Sequence, residues 1–113
     1  DLRIRRVVLE DLYKGAAGLI GRNSYARTIK FALSNFKGKE AKILVREAVY
    51  LSELKEVSVR IDETSSPGWE RDKEGIVSWE VTVSPDPVKP ETRVLRYVVE
   101  SGKSFDLQAV VGN

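Results

Sequence analysis

The sequence predicts an all-β fold, an immunoglobulin-like antiparallel β-sandwich of about seven strands. Three observations carry that expectation. Apolar residues alternate with charged or hydroxylic ones through VSVRIDE (57–63), GIVSWEVTV (75–83) and TRVLRYVVE (92–100). Alternation at period two puts one set of side chains in a core and the other in water. Polar, glycine- and proline-bearing segments separate these runs, TSSPGWERDKE before the second and SPDPVKPE before the third. Comparable turn signals recur about every 8 to 15 residues elsewhere, the spacing of short sandwich strands.

The elements follow in chain order. LRIRRVVLE reads as a first strand ending near Glu10, and its three arginines suit an edge strand, where charge discourages pairing with other molecules. DLYKGAAGLIGRNS follows as a connection marked by Gly15, Gly18 and Gly21. YARTIKFALSNF then places Tyr25, Arg27, Ile29, Phe31 and Leu33 on one face and Ala26, Thr28, Lys30 and Ala32 on the other. NFKGKE (35–40) reads as a hairpin turn around Gly38, with AKILVREAVYL returning as the paired strand. Leu44, Ala48, Leu51 and Leu54 also approximate a helical stripe, but Val45, Val49 and the preceding turn favour a strand to about Tyr50, then a brief connection.

Val57, Val59 and Ile61 are expected to face inward, as are Val77, Trp79, Val81 and Val83, and then Leu95, Tyr97 and Val99. Pro85, Pro87 and Pro90 fall between strands, where they remove no ladder hydrogen bond. Gly102 is read as turning the chain into a last short strand, SFDLQAVV.

The 113 residues are read as a single sandwich domain, 1–113. No apolar run approaches the length that spans a bilayer. The chain opens at Asp1 and contains no methionine, so a processed chain or a domain excised from a larger protein is expected. Cysteine and histidine are also absent, which leaves no disulfide, thiolate nucleophile, imidazole base or soft metal ligand. The lack of Cys and Met beside many Glu, Lys and Arg is a weak pointer to a heat-adapted source.

Charge is uneven along the chain. Residues 1–46 carry 11 Lys or Arg against 4 Asp or Glu, and the remainder carries 8 against 13. In a sandwich the halves interleave, so complementary pairing within the molecule is favoured over a binding patch. If a patch exists, it would use Arg3, Arg5, Arg6, Lys30, Lys37, Lys39 and Lys42 to hold an anionic polymer, nucleic acid or acidic glycan.

No catalytic pattern is complete in the sequence. GAAGLIG lacks both a following helix and the lysine plus hydroxyl residue of a phosphate-binding loop, so it reads as a linker or hairpin loop. Asp62, Glu63, Glu70, Asp72 and Glu74 do not match a calcium loop, and Arg71 and Lys73 alternate with them, so a solvated, salt-bridged loop is expected. Ser65, Ser66 and Ser78 have no histidine to activate them. No catalytic residue, metal or cofactor is expected.

The two tryptophans differ. Trp79 is in phase with the core, whereas Trp69 follows Pro67-Gly68 in a polar loop. Trp69 either folds back to cap the sandwich or stands exposed as an anchor for a protein or glycan. Arg71 and Tyr50 are its candidate companions, with Tyr13 a further aromatic that a glycan platform could use.

SNFKGKEAKILVREA, VSVRIDE, DKEGIVSWEVTVSP and RVLRYVVE together resemble the C-terminal domain of the mucoidy-inhibitor-A-like family, across Asn35 to Val99. That bacterial domain has no assigned function. The resemblance implies a non-catalytic module of a larger envelope or secreted protein, often joined to a coiled coil. The expected partner is another protein or another domain of the same chain, with nucleic acid the weaker expectation.

Overall fold

The computed structural model describes residues 2–16, 21–86 and 88–111. Two antiparallel sheets face each other. The first has strand order β1-β2-β7-β4, from β1 (Leu2–Lys14), β2 (Arg22–Asn35), β4 (Val57–Ile61) and β7 (Glu91–Gly102). The second has order β3-β6-β5, from β3 (Ala41–Ala48), β5 (Glu70–Arg71) and β6 (Ile76–Val83). A short helix, α1 (Leu107–Val111), closes the described chain. The body is elongated, 58 × 26 × 23 Å.

The predicted inward faces form the core. Ile29, Phe31 and Leu33 of β2 meet Val77, Trp79, Val81 and Val83 of β6, with Leu95, Tyr97 and Val99 of β7 beside them. Phe31 and Trp79 pack at 6.1 Å between ring centroids, and the indole N–H donates to the Ser66 carbonyl at 3.2 Å. Burial of these side chains from water is the main force holding the sheets together.

Four elements depart from the expectation. β1 runs to Lys14, past Glu10, because a bulge at Leu9 shifts the pairing with β2 and lets the strand continue in the opposite phase. VVLE therefore interrupts the alternation without ending the strand. Residues 17–20 of GAAGLIG, Gly18 among them, lie outside the described residues, and the flanking strands β1 and β2 pair antiparallel.

The NFKGKE segment is a corner between sheets and not a hairpin turn. β3 pairs with β6, and β2 pairs with β1 and β7. Fully buried Asn35 fixes the corner: its amide nitrogen donates to the Lys39 and Val83 carbonyls, each at 2.9 Å, and its oxygen accepts from the Lys37 N–H. The Val83 bond fastens one sheet to the other.

Within the expected loop, Glu70 and Arg71 pair with Ser78 and Val77 as a short edge strand. The turn from it to β6 uses the Asp72 carboxylate, which accepts from the Glu74 and Ile76 amides. Gly75 in that turn has φ +84 and lies so close to Val49 that a Cβ would sit 3.0 Å from its carbonyl oxygen. Only glycine fits both conditions.

The last expected strand is a helix. Asp106 accepts from the Ala109 amide as an N-terminal cap. Leu107, one helical turn before Val111, is fully buried, and Val111 packs against the core. That i, i+4 pair with a cap outweighs the weak alternation of SFDLQAVV.

Candidate functional site

The two sheets differ in width and length, and that mismatch creates the site. β3 has eight residues and faces a pair of strands of thirteen and fourteen. The second sheet cannot cover β1, which lies at the free edge of the first. Ile4 and Val8 stand opposite Leu33 and Ile29 in register, so they point to the inner face, yet Ile4 is 54% exposed. Leu9 in the bulge is 58% exposed, and Leu12 is exposed on the outer face.

Along this flank one ion pair joins the sheets. Arg6 of β1 donates to both carboxylate oxygens of Glu47 on β3, at 2.8 and 3.0 Å. Beyond it, where the bulge has reversed the phase of β1, Asp11 and Tyr13 turn inward opposite Arg27 and Tyr25. A cleft of about 640 Å³ opens there, walled by Asp11, Tyr13, Tyr25, Arg27, Tyr50 and Tyr97, with Val110 and Val111 of α1 on one side.

The cleft is aromatic and polar at once. Tyr25 and Tyr97 pack edge to face at 6.5 Å. The Tyr25 hydroxyl donates to the Asp11 carboxylate, and burial, then that hydrogen bond, raises the Tyr25 pKa. Tyr97 beside Arg27 raises the guanidinium pKa. The Arg27 Nε–H is buried and has no acceptor among the described residues.

The expected site residues fall in different places. Trp69 is 38% exposed and Trp79 is 2% exposed. Trp69 and Arg71 sit at the β5 edge of the second sheet, while Tyr50 follows β3 at its other edge and lines the cleft. The structure therefore does not gather Trp69, Arg71 and Tyr50 into one patch. Tyr50 and Tyr13 do come together, with Tyr25 and Tyr97 and not with Trp69.

Of the basic residues, Arg3, Arg5 and Lys30 share the outer face of the first sheet, near the corner that carries Lys37 and Lys39. Arg3 lies over the Phe36 ring, 5.1 Å from its centroid. Arg6 leaves the group by facing inward to Glu47, and Lys42 leaves it because β3 places it on the outer face of the second sheet. Pairing between the chain halves is also present on the outer face of the first sheet, where Arg96 binds Glu10 at 2.9 Å, and Arg96 meets Asp62 of its own half at 3.3 Å.

The acidic loop and its serines have structural partners. Asp62 accepts from Thr64 and pairs with Arg60 at 3.1 Å. Those bonds, led by the Thr64 hydroxyl, lower its pKa to about 2. The Ser65 hydroxyl accepts from the Arg96 amide, and Ser66 accepts from the Val94 amide, so both seal the edge of β7 beyond β4. Among the described residues no group of three or more acidic residues is placed to hold a metal ion. No described helix is long and apolar enough to cross a membrane.

Residues 1–100 match the model of a domain of unknown function, DUF4139. The chain belongs to the DUF4139 family. No curated protein and no solved structure matches it significantly. The DUF4139 match ends inside β7, before α1. The helix that walls the cleft is thus outside the matched segment, while Asp11, Tyr13, Tyr25, Arg27, Tyr50 and Tyr97 are inside it.

Proposed function

We propose that this DUF4139 domain is a non-catalytic interaction module that docks a partner protein, or another domain of its own chain, along the free edge of β1. The observation that carries the reading is the uncovered β1 flank with exposed Ile4, Val8, Leu9 and Leu12. A free edge offers backbone donors and acceptors to an added strand, and exposed side chains beside it supply selectivity. The bulge and the arginines limit indiscriminate pairing. Trp69 is a second exposed anchor on the opposite edge, with Arg71 beside it.

The finer placement belongs to the same proposal. SNFKGKEAKILVREA and GIVSWEVTVSP support membership of the mucoidy-inhibitor-A-like group. On that resemblance the parent is a cell-envelope or secreted protein.

A photo-crosslinking amino acid placed at Leu12 or Ile4 of the intact parent protein tests the docking. Crosslinks to a defined peptide segment should form there in higher yield than from Val88, which is 89% exposed in the β6–β7 loop. Equal yields from all three positions would remove the β1 edge from the proposal. Retained partner affinity after Trp69→Ala would remove the Trp69 anchor.

A second reading rests on Arg3, Arg5, Lys30, Lys37 and Lys39 meeting at one end. This surface would hold an anionic polymer, and affinity for heparin or single-stranded DNA would then fall steeply with added salt. Salt-independent or absent binding to both polymers would dismiss it.

A further inference from the structure

We propose that the cleft between β1 and the end of β3 is a binding site for a small organic acid, a carboxylate carried on a flat apolar body. The buried Arg27 Nε–H has no acceptor, although native proteins satisfy most buried donors. The carboxylate opposite it in the register does not supply one. Asp11 is the direct partner of Arg27 in the β1–β2 register, but it accepts from the Tyr25 hydroxyl and forms no ion pair with Arg27 among the described residues.

The Arg27 guanidinium, half-buried on the cleft wall and without an ion pair among the described residues, is thus left to a ligand, while the solvent-inaccessible Nε–H is not itself in reach. A carboxylate matches the guanidinium, because guanidinium donors and carboxylate oxygens form short, charge-assisted hydrogen bonds. The remaining walls select what carries the carboxylate. Tyr13 and Tyr50 are half-buried and Val110 is exposed, so flat and branched apolar surface faces the opening. Tyr25 and Tyr97 are buried behind them and hold the polar groups in place. The volume of about 640 Å³ lies in the range of small-molecule sites. The site uses the inward side chains Asp11 and Tyr13 of β1, whereas the docking proposal uses the open backbone edge of that strand, so phenylacetate binding and crosslinking can fail independently.

The test is an amide NMR titration of the 113-residue chain with phenylacetate, with phenylacetamide and acetate as comparisons. Phenylacetate should give saturable shifts centred on Asp11, Tyr13, Arg27, Tyr50 and Val110. Phenylacetamide, which lacks the charge, and acetate, which lacks the ring, should each bind roughly tenfold more weakly or worse. Arg27→Gln should weaken phenylacetate by a similar factor, and Arg5→Gln on the outer face should not. Val110→Trp, at an exposed position on the cleft wall, should block binding without changing the circular dichroism spectrum.

Equal binding of phenylacetamide, or unchanged phenylacetate affinity in Arg27→Gln, would overturn the proposal. So would the absence of saturable shifts at millimolar phenylacetate. Should Arg27→Gln fail to fold, Val110→Trp decides: phenylacetate affinity unaltered by that variant also overturns it.

Discussion

Three polar residues on the inner face of one strand have opposite fates. Asn23 and Asn35 bracket β2 and are both buried, and their side-chain oxygen and nitrogen are all engaged. Asn35 ties the corner to β6, and Asn23 ties the β1–β2 connection to the segment before α1. Arg27 lies between them with a buried N–H that has no acceptor. A satisfied buried polar group is a structural fastener, because removing it strands its partners. An unsatisfied one is a cost the fold carries, and function is the first place to look for its reason.

The contrast is sharpest at Asn35. Asn35→Ala would leave the buried Val83 carbonyl, and the part-buried Lys39 carbonyl and Lys37 amide, without their partner, at a cost of roughly 2–4 kcal/mol in denaturant unfolding. A loss under about 0.5 kcal/mol would show that water replaces the side chain and that the corner does not depend on it.

Asn23→Ala should cost less, about 1–3 kcal/mol, because its bonds to the Gly102 and Phe105 carbonyls are part-buried whereas the Asn35 bond to Val83 is buried. Asp106→Ala removes the cap of the helix whose approach Asn23 holds, and about 1 kcal/mol is expected. If the two are coupled through the chain before α1, the double variant will lose less than the sum of the singles.

These fasteners show what was legible in the sequence and what was not. The two-residue period fixed the inward sets on β2, β4, β6 and β7, since burying one face is a local property of each strand. It could not say which sheet β3 joins, because a turn with glycine serves a hairpin and a corner equally. The deciding signal was Asn35, whose inward phase put a polar side chain among core residues. Gly75 was likewise present but unread, since its positive φ depends on the approach of Val49. Tyr13 was weighed as an aromatic, but its inward direction depends on the Leu9 bulge, which reverses the phase expected from the strand start. The Arg27 donor could not be read at all: its lack of an acceptor is a property of packing.

A satisfied group on the outer face extends the comparison to pH. Bonds from Thr64, with Arg60 and Arg96 adding to them, hold the Asp62 carboxyl at about 2, below its ordinary 3.8. A depressed carboxylate contributes stability that is present above 3.8 and lost as pH falls through about 2. Glu10 is lowered in the same direction by Thr28 and then Arg96. Asp62→Asn should therefore flatten stability between about pH 4 and pH 2 relative to the parent chain. Parallel acid-unfolding curves would show that these bonds do not distinguish the folded from the unfolded state.

The smallest change in stability is expected at Arg27, and it discriminates most. Arg27→Met removes a buried donor that has no acceptor and keeps an unbranched side chain of similar reach. The loss of the favourable interaction with Tyr97 opposes that gain. Unfolding free energy should then change by no more than about 1 kcal/mol in either direction. Phenylacetate binding should nevertheless disappear. A fastener would show the reverse pattern, a large loss of stability with ligand affinity following the folded fraction. If Arg27→Met destabilises the chain as much as Asn35→Ala, Arg27 belongs with the asparagines and the cleft is a by-product of unequal sheets. If stability holds and binding is lost, the imbalance between thirteen-residue β1 and eight-residue β3 is what makes room for a ligand.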